Sequence, residues 1–484
     1  MTQSLSQNSK HCSGGRHIDE IGRDTIDFTR LSIATALAPT TSFSVVVIGD
    51  TDAGLANAQL PHGACAELAE QMLQKANPSE NALLLHTGDL TYPIGSYENY
   101  LSGFLQPYGS LLSQVPKSPA ELGRDVVFNQ PFLPVPGNHD YGQIRRGRFM
   151  HRLLRAFCDR LRQVGIDLGH YGGEGGEAYT SVFLDSLEDL TEPALKQHLV
   201  NHYSAPVASC SDETATSRYC LNYHPGQFTR LPNRYYQFRY AGVDFFALDS
   251  NTWNTPSDAE NFDYQQLEWL EQALVASWQA DTADNGDRTV ARIVYLHHSP
   301  YTTEESRWQQ PETLWVRRHL RSVLDRVAAV ISGKNCTDGS DQISPIDLVV
   351  SGHAHCMEHI KTADTGHADS HLDWIVCGGS GMGIRRQRKA GADILETIVD
   401  SGHKRTSIVA SSRLYAGAHG HGQKKQNFHS FIQIKIQPES KNKITILPFV
   451  VQHQASTWHT RALSPITIEA KNAQQSVDIP NKAA

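Results

Sequence analysis

At 484 residues the chain is long enough for one large α/β unit with insertions, or for about three domains of ordinary size. Its 39% hydrophobic and 19% charged residues exclude a disordered polyelectrolyte. With 43 Lys and Arg against 51 Asp and Glu the net charge is −8, which argues against a nucleic-acid coat or a polybasic membrane binder, and no apolar run approaches the roughly 18 residues of a membrane span.

Residues 1–42 are polar and aperiodic and read as a leader with at most one short helix. Met1 to Arg16 carries no secretory signal, so a cytoplasmic location is expected. Eight cysteines without a C-x-x-C pair speak for a reducing compartment, and Cys210 and Cys220 would pair only in an exported protein. From Ser44 onward short apolar runs each end in a polar cluster. Ser44–Ile48 precedes Gly49-Asp50, Ala82–His86 precedes Gly88-Asp89, and Phe132–Val135 precedes Gly137-Asn138-His139-Asp140. Residues 148–164 repeat Met150, Leu153, Leu154, Phe157, Leu161 and Val164 at helical spacing, which predicts an amphipathic helix. The stretch 165–235 is rich in Gly, Ser and Thr and reads as an insertion shaping a pocket; its Gly172–Gly176 run lacks the Lys-Ser/Thr of a phosphate-binding loop.

Helices are predicted over 264–278 and 314–330. Between and after them come Arg292–Leu296 before His297-His298, Asp347–Val350 before Gly352-His353-Ala354-His355, and Trp374–Val376 before Gly378-Gly379. The basic group Arg385, Arg386, Arg388 and Lys389 reads equally as a substrate-steering rim or a solvated loop, and His419 and His421 as surface histidines. Residues 428–437 and 443–451 form a predicted β-hairpin, and 456–484 a frayed tail.

Runs apolar throughout suit strands buried on both faces, and in α/β sheets ligands gather beyond the carboxyl ends of such strands. Taken singly, each polar residue there reads as a turn, a cap or an ordinary histidine. Together Asp50, Asp89, Asn138, His298, His353 and His355 offer carboxylate, amide and imidazole donors that suit two first-row metal ions. Such a pair, about 4 Å apart, clamps the attacking and leaving oxygens of a displacement at phosphorus and needs one bridging carboxylate. The glycines before Asp50, Asp89, Asn138 and His353 would let the backbone turn each side chain into one cavity.

The order Gly49-Asp50, Gly88-Asp89-Leu90-Thr91-Tyr92, Gly137-Asn138-His139-Asp140, His298-Ser299-Pro300 and Gly352-His353-Ala354-His355 resembles the calcineurin-like metallophosphoesterases, most of all their purple acid phosphatase branch. Tyr236-Gln237-Phe238 leading into Val243–Ser250, and Gln265-Gln266 before Trp269-Leu270, are similar as well. The resemblance implies a four-layer α/β sandwich of two mixed β-sheets flanked by helices, with one catalytic domain over 43–455 and a cap inserted around 145–235. It implies one metal held by Asp50, Asp89, Tyr92 and His355 and a second by Asp89, Asn138, His298 and His353. Iron paired with iron, zinc or manganese is implied, the Tyr92 phenolate giving the ferric ion its colour. His139 would then assist the leaving group, with Asp140 orienting its ring.

Three positions depart from the pattern. Asp52 stands where that branch has an apolar residue, and reads as an extra ligand, an acceptor behind the ligands or a turn residue. The pair His297-His298 leaves the ligand open, the His-x-Pro spacing favouring His298. Thr302, Thr303, Glu304 and Glu305 occupy a stretch where some relatives carry substrate-binding histidines. The expected activity is hydrolysis of phosphate monoesters on a small phosphorylated substrate, with no nucleic-acid or membrane partner. Phosphodiesterase or pyrophosphatase action on the same centre, or a non-catalytic scaffold, are the alternatives.

Overall fold

The apolar runs become strands because they are buried on both faces and rich in β-branched, Leu or aromatic side chains. The structure, a computed structural model, describes residues 25–33, 41–51, 64–75, 81–123, 126–141, 176–188, 190–204, 219–260, 262–282, 289–332, 343–400, 403–418, 428–439, 442–454 and 457–470. The predicted helix over 148–164, and Asp52, Cys210, Gly172 to Gly175, His419 and His421, lie outside these residues.

In chain order, β1 (Ile26–Ile33) and β2 (Phe43–Ile48) are followed by α1 (Ala64–Lys75), β3 (Asn81–His86) and β4 (Phe132–Pro134). Helices α2 (Glu177–Phe183) and α3 (Glu192–His202) lead into β5 (Tyr203–Ser204), β6 (Tyr219–Tyr223), β7 (Tyr236–Tyr240) and β8 (Val243–Leu248). Next come α4 (Tyr264–Thr282), β9 (Ala291–Leu296), α5 (Pro311–Ser332), β10 (Leu348–Ser351), β11 (Met357–Thr362) and β12 (Asp373–Cys377). The remainder is β13 (Asp393–Asp400), β14 (His403–Ala416), β15 (Phe428–Gln437), β16 (Lys443–Gln454), β17 (Thr457–Ala462) and β18 (Ile466–Glu469).

Two mixed sheets result. The 11-stranded sheet has the order β13-β14-β11-β12-β10-β9-β8-β7-β1-β6-β5; the 7-stranded sheet runs β17-β16-β15-β2-β3-β4, with β18 beside β16. Parallel pairs make up β8-β9-β10-β12 inside the large sheet and β2-β3-β4 at one end of the small one, while β11, β14, β15 and β16 run antiparallel. Val47, Leu85 and Ile434 of the small sheet share one core with Phe245, Ile293, Val350 and Ile375 of the large one. On the outer face of the large sheet, Phe246, Val294 and Val349 pack against Leu270 and Leu274 of α4 and Leu320 and Leu324 of α5. Helix α1 covers the small sheet, where Glu67 accepts a 2.7 Å hydrogen bond from Trp458 of β17. This is the expected α/β architecture of two mixed sheets flanked by helices.

Two segments differ from the sequence reading. Residues 26–33, read as part of a polar leader, form β1, which pairs with both β6 and β7. Asp27, Thr29 and Arg30 mask a strand whose Ile26, Leu31 and Ile33 are buried. Residues 457–469, read as a tail, add β17 and β18 to β16. Among the described residues no helix is long and apolar enough to cross a membrane.

The topology brings the carboxyl ends of β2, β3, β4, β9, β10 and β12 to one crevice. Ser380 N–H donates to Gly49 O (3.1 Å), Met382 N–H to Asp50 O (3.0 Å) and Gly352 N–H to His297 O (3.0 Å), so the loops of both sheets are tied together there.

Candidate active site

Each acidic turn begins where a parallel strand ends. Asp50 and Asp89 sit two and three residues beyond β2 and β3, and hydrogen bonds join the two turns: Asp50 N–H donates to Gly88 O (3.0 Å) and Thr51 N–H to Asp89 O (3.1 Å). Asp50, Asp89 and His353 themselves take left-handed backbone, with φ of 54°, 53° and 66°, a conformation rare for non-glycine residues and held only by surrounding structure. Of the glycines expected to supply these turns, Gly88 does so (φ 91°), whereas Gly352 is needed for close approach, since a Cβ there would lie 2.6 Å from Asp50 Oδ2.

Around the two carboxylates the donors gather in two groups. Tyr92 Oη lies 2.8 Å from Asp89 Oδ2, 3.1 Å from Asp50 Oδ1 and 3.5 Å from His355 Nε2; His355 Nε2 is 3.5 Å from Asp50 Oδ1. On the other side, His297 Nε2 lies 3.5 Å from Asp89 Oδ2, 3.0 Å from Asn138 Oδ1 and 3.2 Å from His353 Nδ1. Asp50, Asp89 and His297 are buried and offer one ligand atom each within 4.8 Å of one another. Oxygen and nitrogen ligands about 2.1 Å from a metal ion stand about 3.0 Å apart at octahedral angles and about 3.4 Å apart at tetrahedral ones. The observed spacings fall in that interval or close to it.

The outward nitrogens of the three imidazoles fix which way each ring faces. His297 Nδ1 is 2.9 Å from Thr87 O, His355 Nδ1 3.3 Å from Gly383 O, and His353 Nε2 3.2 Å from Gln310 Oε1. Those oxygens accept, so these nitrogens carry the hydrogens; the opposite nitrogens of His355 and His297 turn lone pairs toward Asp50 and Asp89, and that of His353 turns its lone pair toward His297 Nε2. Lone pairs facing carboxylate and amide oxygens repel unless a cation lies between them. The donor set therefore fits metal binding. Electrostatics agree: burial, then the neighbouring Asp89, pushes the Asp50 carboxyl well above the usual range. Burial likewise holds His353 and His297 below the ordinary imidazole range, with the buried Arg307 guanidinium adding to the effect, and burial followed by Asp50 and Asp89 raises the Tyr92 phenol.

Of the paired histidines, it is His297 whose ring stands among the donors, whereas the His-x-Pro spacing favours His298. The His298 ring turns to Ser250 and Asn254, with Nδ1 2.8 Å from Ser250 Oγ and Nε2 3.3 Å from Asn254 Nδ2, while His297 faces Asp89 and Asn138. The cause is the two-residue period of β9: Ile293 and Tyr295 face the core between the sheets and Val294 and Leu296 face the helices, so His297 continues the first set.

His139 donates its backbone N–H to Asp89 Oδ1 (2.8 Å), and its ring lies over Tyr92 with centroids 4.3 Å apart. The ring is oriented through Nδ1 by Pro93 O at 2.7 Å, not by Asp140. Asp140 instead accepts from Gly137 N (2.8 Å), Leu90 N (3.1 Å) and Tyr100 Oη (2.7 Å), bracing the turns that carry Asp89 and Asn138; burial, then Asp89, pushes its carboxyl up to about 8.

Other residues singled out in the sequence serve the frame. Thr302 donates to Glu358 Oε2 (2.8 Å), and Thr303 N–H donates to the same oxygen (3.0 Å), so these threonines face a buried carboxylate. Arg386 pairs with Glu305, Arg388 stacks over Trp308, and Arg385 N–H donates to His355 O (2.8 Å), so the basic group largely clamps the loop after β9. Cys220 is buried and not in a disulfide among the described residues. Sequence reasoning did not single out Gln310, Arg307 or Pro93. A backbone carbonyl and loop residues without a motif leave no mark in a single sequence.

Among curated proteins none matches the chain. Of solved structures, GAP50, the anchor in the inner membrane complex of Plasmodium, aligns at 13% identity and TM-score 0.40 over 89% of this chain and 90% of its own. PhoD aligns at 12% identity and TM-score 0.39 over 90% of this chain and 75% of its own. Vacuolar Protein Sorting 29 from Cryptosporidium parvum aligns at 10% identity and TM-score 0.24 over 88% and 98%. The model of the calcineurin-like phosphoesterase family, whose membership implies divalent metal ions and metal-dependent hydrolysis of phosphoesters, matches residues 43–357. The chain belongs to the calcineurin-like phosphoesterase family.

Proposed function

We propose that this chain is a phosphate monoesterase of the purple-acid-phosphatase kind, with two metal ions bridged by Asp89. The first would be held by Asp50, Asp89, Tyr92 and His355, the second by Asp89, Asn138, His297 and His353. The observation that carries the reading is the pair of donor groups sharing Asp89 Oδ2, which has Tyr92 Oη at 2.8 Å on one side and His297 Nε2 at 3.5 Å on the other. A phenol beside two carboxylates supports iron in the first position, because a ferric ion offsets the burial that raises the Tyr92 phenol.

Bound metal ions supply Lewis acidity to a phosphoryl oxygen and to the attacking water. The protein does the rest. Asp50 and Asp89, fixed by backbone donors, set the spacing of the centre, and the three histidines keep their outward N–H groups on Thr87 O, Gly383 O and Gln310 Oε1. His139, whose Nε2 is 4.0 Å from Asp89 Oδ2, lies at the rim; with its Nδ1–H held by the Pro93 carbonyl, the ring would give the departing alkoxide the proton that Nε2 bears when both nitrogens are protonated, and return to the Nδ1–H tautomer.

Turnover of an aryl phosphate and of a bis-aryl phosphodiester by manganese-, iron- or zinc-loaded protein tests the reading. The monoester is expected to be cleaved faster; preference for the diester would make the chain a phosphodiesterase, and no cleavage with metal bound would make it a scaffold. In the same assay His139→Ala is expected to lose about a hundredfold or more in turnover with unchanged metal content. Undiminished turnover would remove His139 from the reaction.

A further inference from the structure

Beneath the donor groups, at the end of β3, lies a histidine that none of the roles above uses. His86 is fully buried, with its ring edge-on to Phe104 and Phe132 at centroid distances of 5.7 and 6.1 Å. Its Nδ1 is 3.1 Å from Gly88 N and its Nε2 is 3.1 Å from Thr51 Oγ1. A backbone N–H only donates, so Nδ1 must present its lone pair. Thr51 sends its one hydroxyl proton to Leu90 O at 2.9 Å, so its oxygen accepts from Nε2–H. One neutral tautomer closes this inventory. The other tautomer, or the imidazolium, would set two hydrogens against each other at Gly88.

The partners matter because of where they stand. Thr51 follows Asp50 and Gly88 precedes Asp89, and both acidic residues hold left-handed backbone. The ring thus bridges the two strained turns from below, parallel to the backbone bonds Asp50 N–H to Gly88 O and Thr51 N–H to Asp89 O. We propose that His86 is a positioning residue that fixes the separation of the Asp50 and Asp89 carboxylates by spanning Thr51 and Gly88, so that the metal centre is formed before metal arrives. The inference rests on the metal-centre reading above.

Calorimetric titration of metal-stripped protein with Mn²⁺ tests it, using Thr51→Val, which removes the hydroxyl at nearly constant shape, and Thr51→Ser, which keeps it. Thr51→Val is expected to bind at least about tenfold more weakly than the wild type, with Thr51→Ser restoring wild-type affinity. A role in packing alone would lower the melting temperature of metal-free Thr51→Val and leave its Mn²⁺ affinity unchanged, which would overturn the proposal. Should Thr51→Val fail to fold, ¹⁵N spectra of wild-type protein labelled at histidine decide: a neutral His86 ring protonated at Nε2 is expected, and a proton on Nδ1 would overturn it. Wild-type protein that takes up no Mn²⁺ would overturn the metal-centre reading and this role with it, a result distinct from a variant that binds as well as wild type.

Discussion

Asp89→Ala protein is expected to be purified with less than one metal ion per chain and to lose more than about a hundredfold in phosphoesterase turnover. The magnitude follows from position. Asp89 Oδ2 receives Tyr92 Oη at 2.8 Å on one side and faces His297 Nε2 at 3.5 Å on the other, while Oδ1 accepts the His139 N–H at 2.8 Å. Partners of ligands, which only orient them, already cost about ten- to a hundredfold when removed, so a carboxylate shared by both donor groups must cost more. Deleting it also leaves the His297 and His353 nitrogens, 3.2 Å apart, without the carboxylate that His297 faces. The measurement is elemental analysis of variant and wild type beside aryl phosphate turnover; two ions retained in the variant would show that Asp89 is no bridge.

The second large effect separates two neighbouring residues. His297→Ala is expected to lose metal affinity and turnover by about tenfold to a hundredfold or more, whereas His298→Ala keeps both close to wild type. His298→Ala acts on stability instead: Ser250 Oγ loses the ring nitrogen now 2.8 Å away and keeps the backbone N–H of residue 298 at 3.0 Å, which costs about 1–3 kcal/mol. Metal titration and thermal melting of the two variants read these outcomes separately. Loss of metal on His298→Ala with retention on His297→Ala would reverse the assignment made from the alternation along β9.

The His-x-Pro spacing favours His298, whereas in the structure His297 faces Asp89 and Asn138. Arg292–Leu296 is apolar on both faces, so nothing in the run says which parity looks into the crevice, and only the packing of Val294 and Leu296 against α4 and α5 resolves it. By contrast, the strands themselves were legible, since continuous apolar runs ending in Gly-Asp, Gly-Asn-His-Asp or Gly-His leave little choice of element and put the polar clusters at one edge. Strand β1 escaped because an exposed edge-like pattern, with Phe28 at 39% exposure among Asp27, Thr29 and Arg30, resembles a polar leader. The orienting partner of His139 escaped for a different reason. The family resemblance implies Asp140, but in the structure that carboxylate accepts from Gly137, Leu90 and Tyr100, and a carbonyl, Pro93 O, takes the ring. His86 was visible as a histidine closing a buried strand, yet its function depends on Thr51 and Gly88, which come together only when β2 and β3 pair.

The most direct test of the whole account is the metal content of native protein, read by elemental analysis together with the visible spectrum. About two ions per chain are expected, and where one is ferric iron, an absorption band that Tyr92→Phe abolishes. Native, active protein holding one ion or none would contradict it.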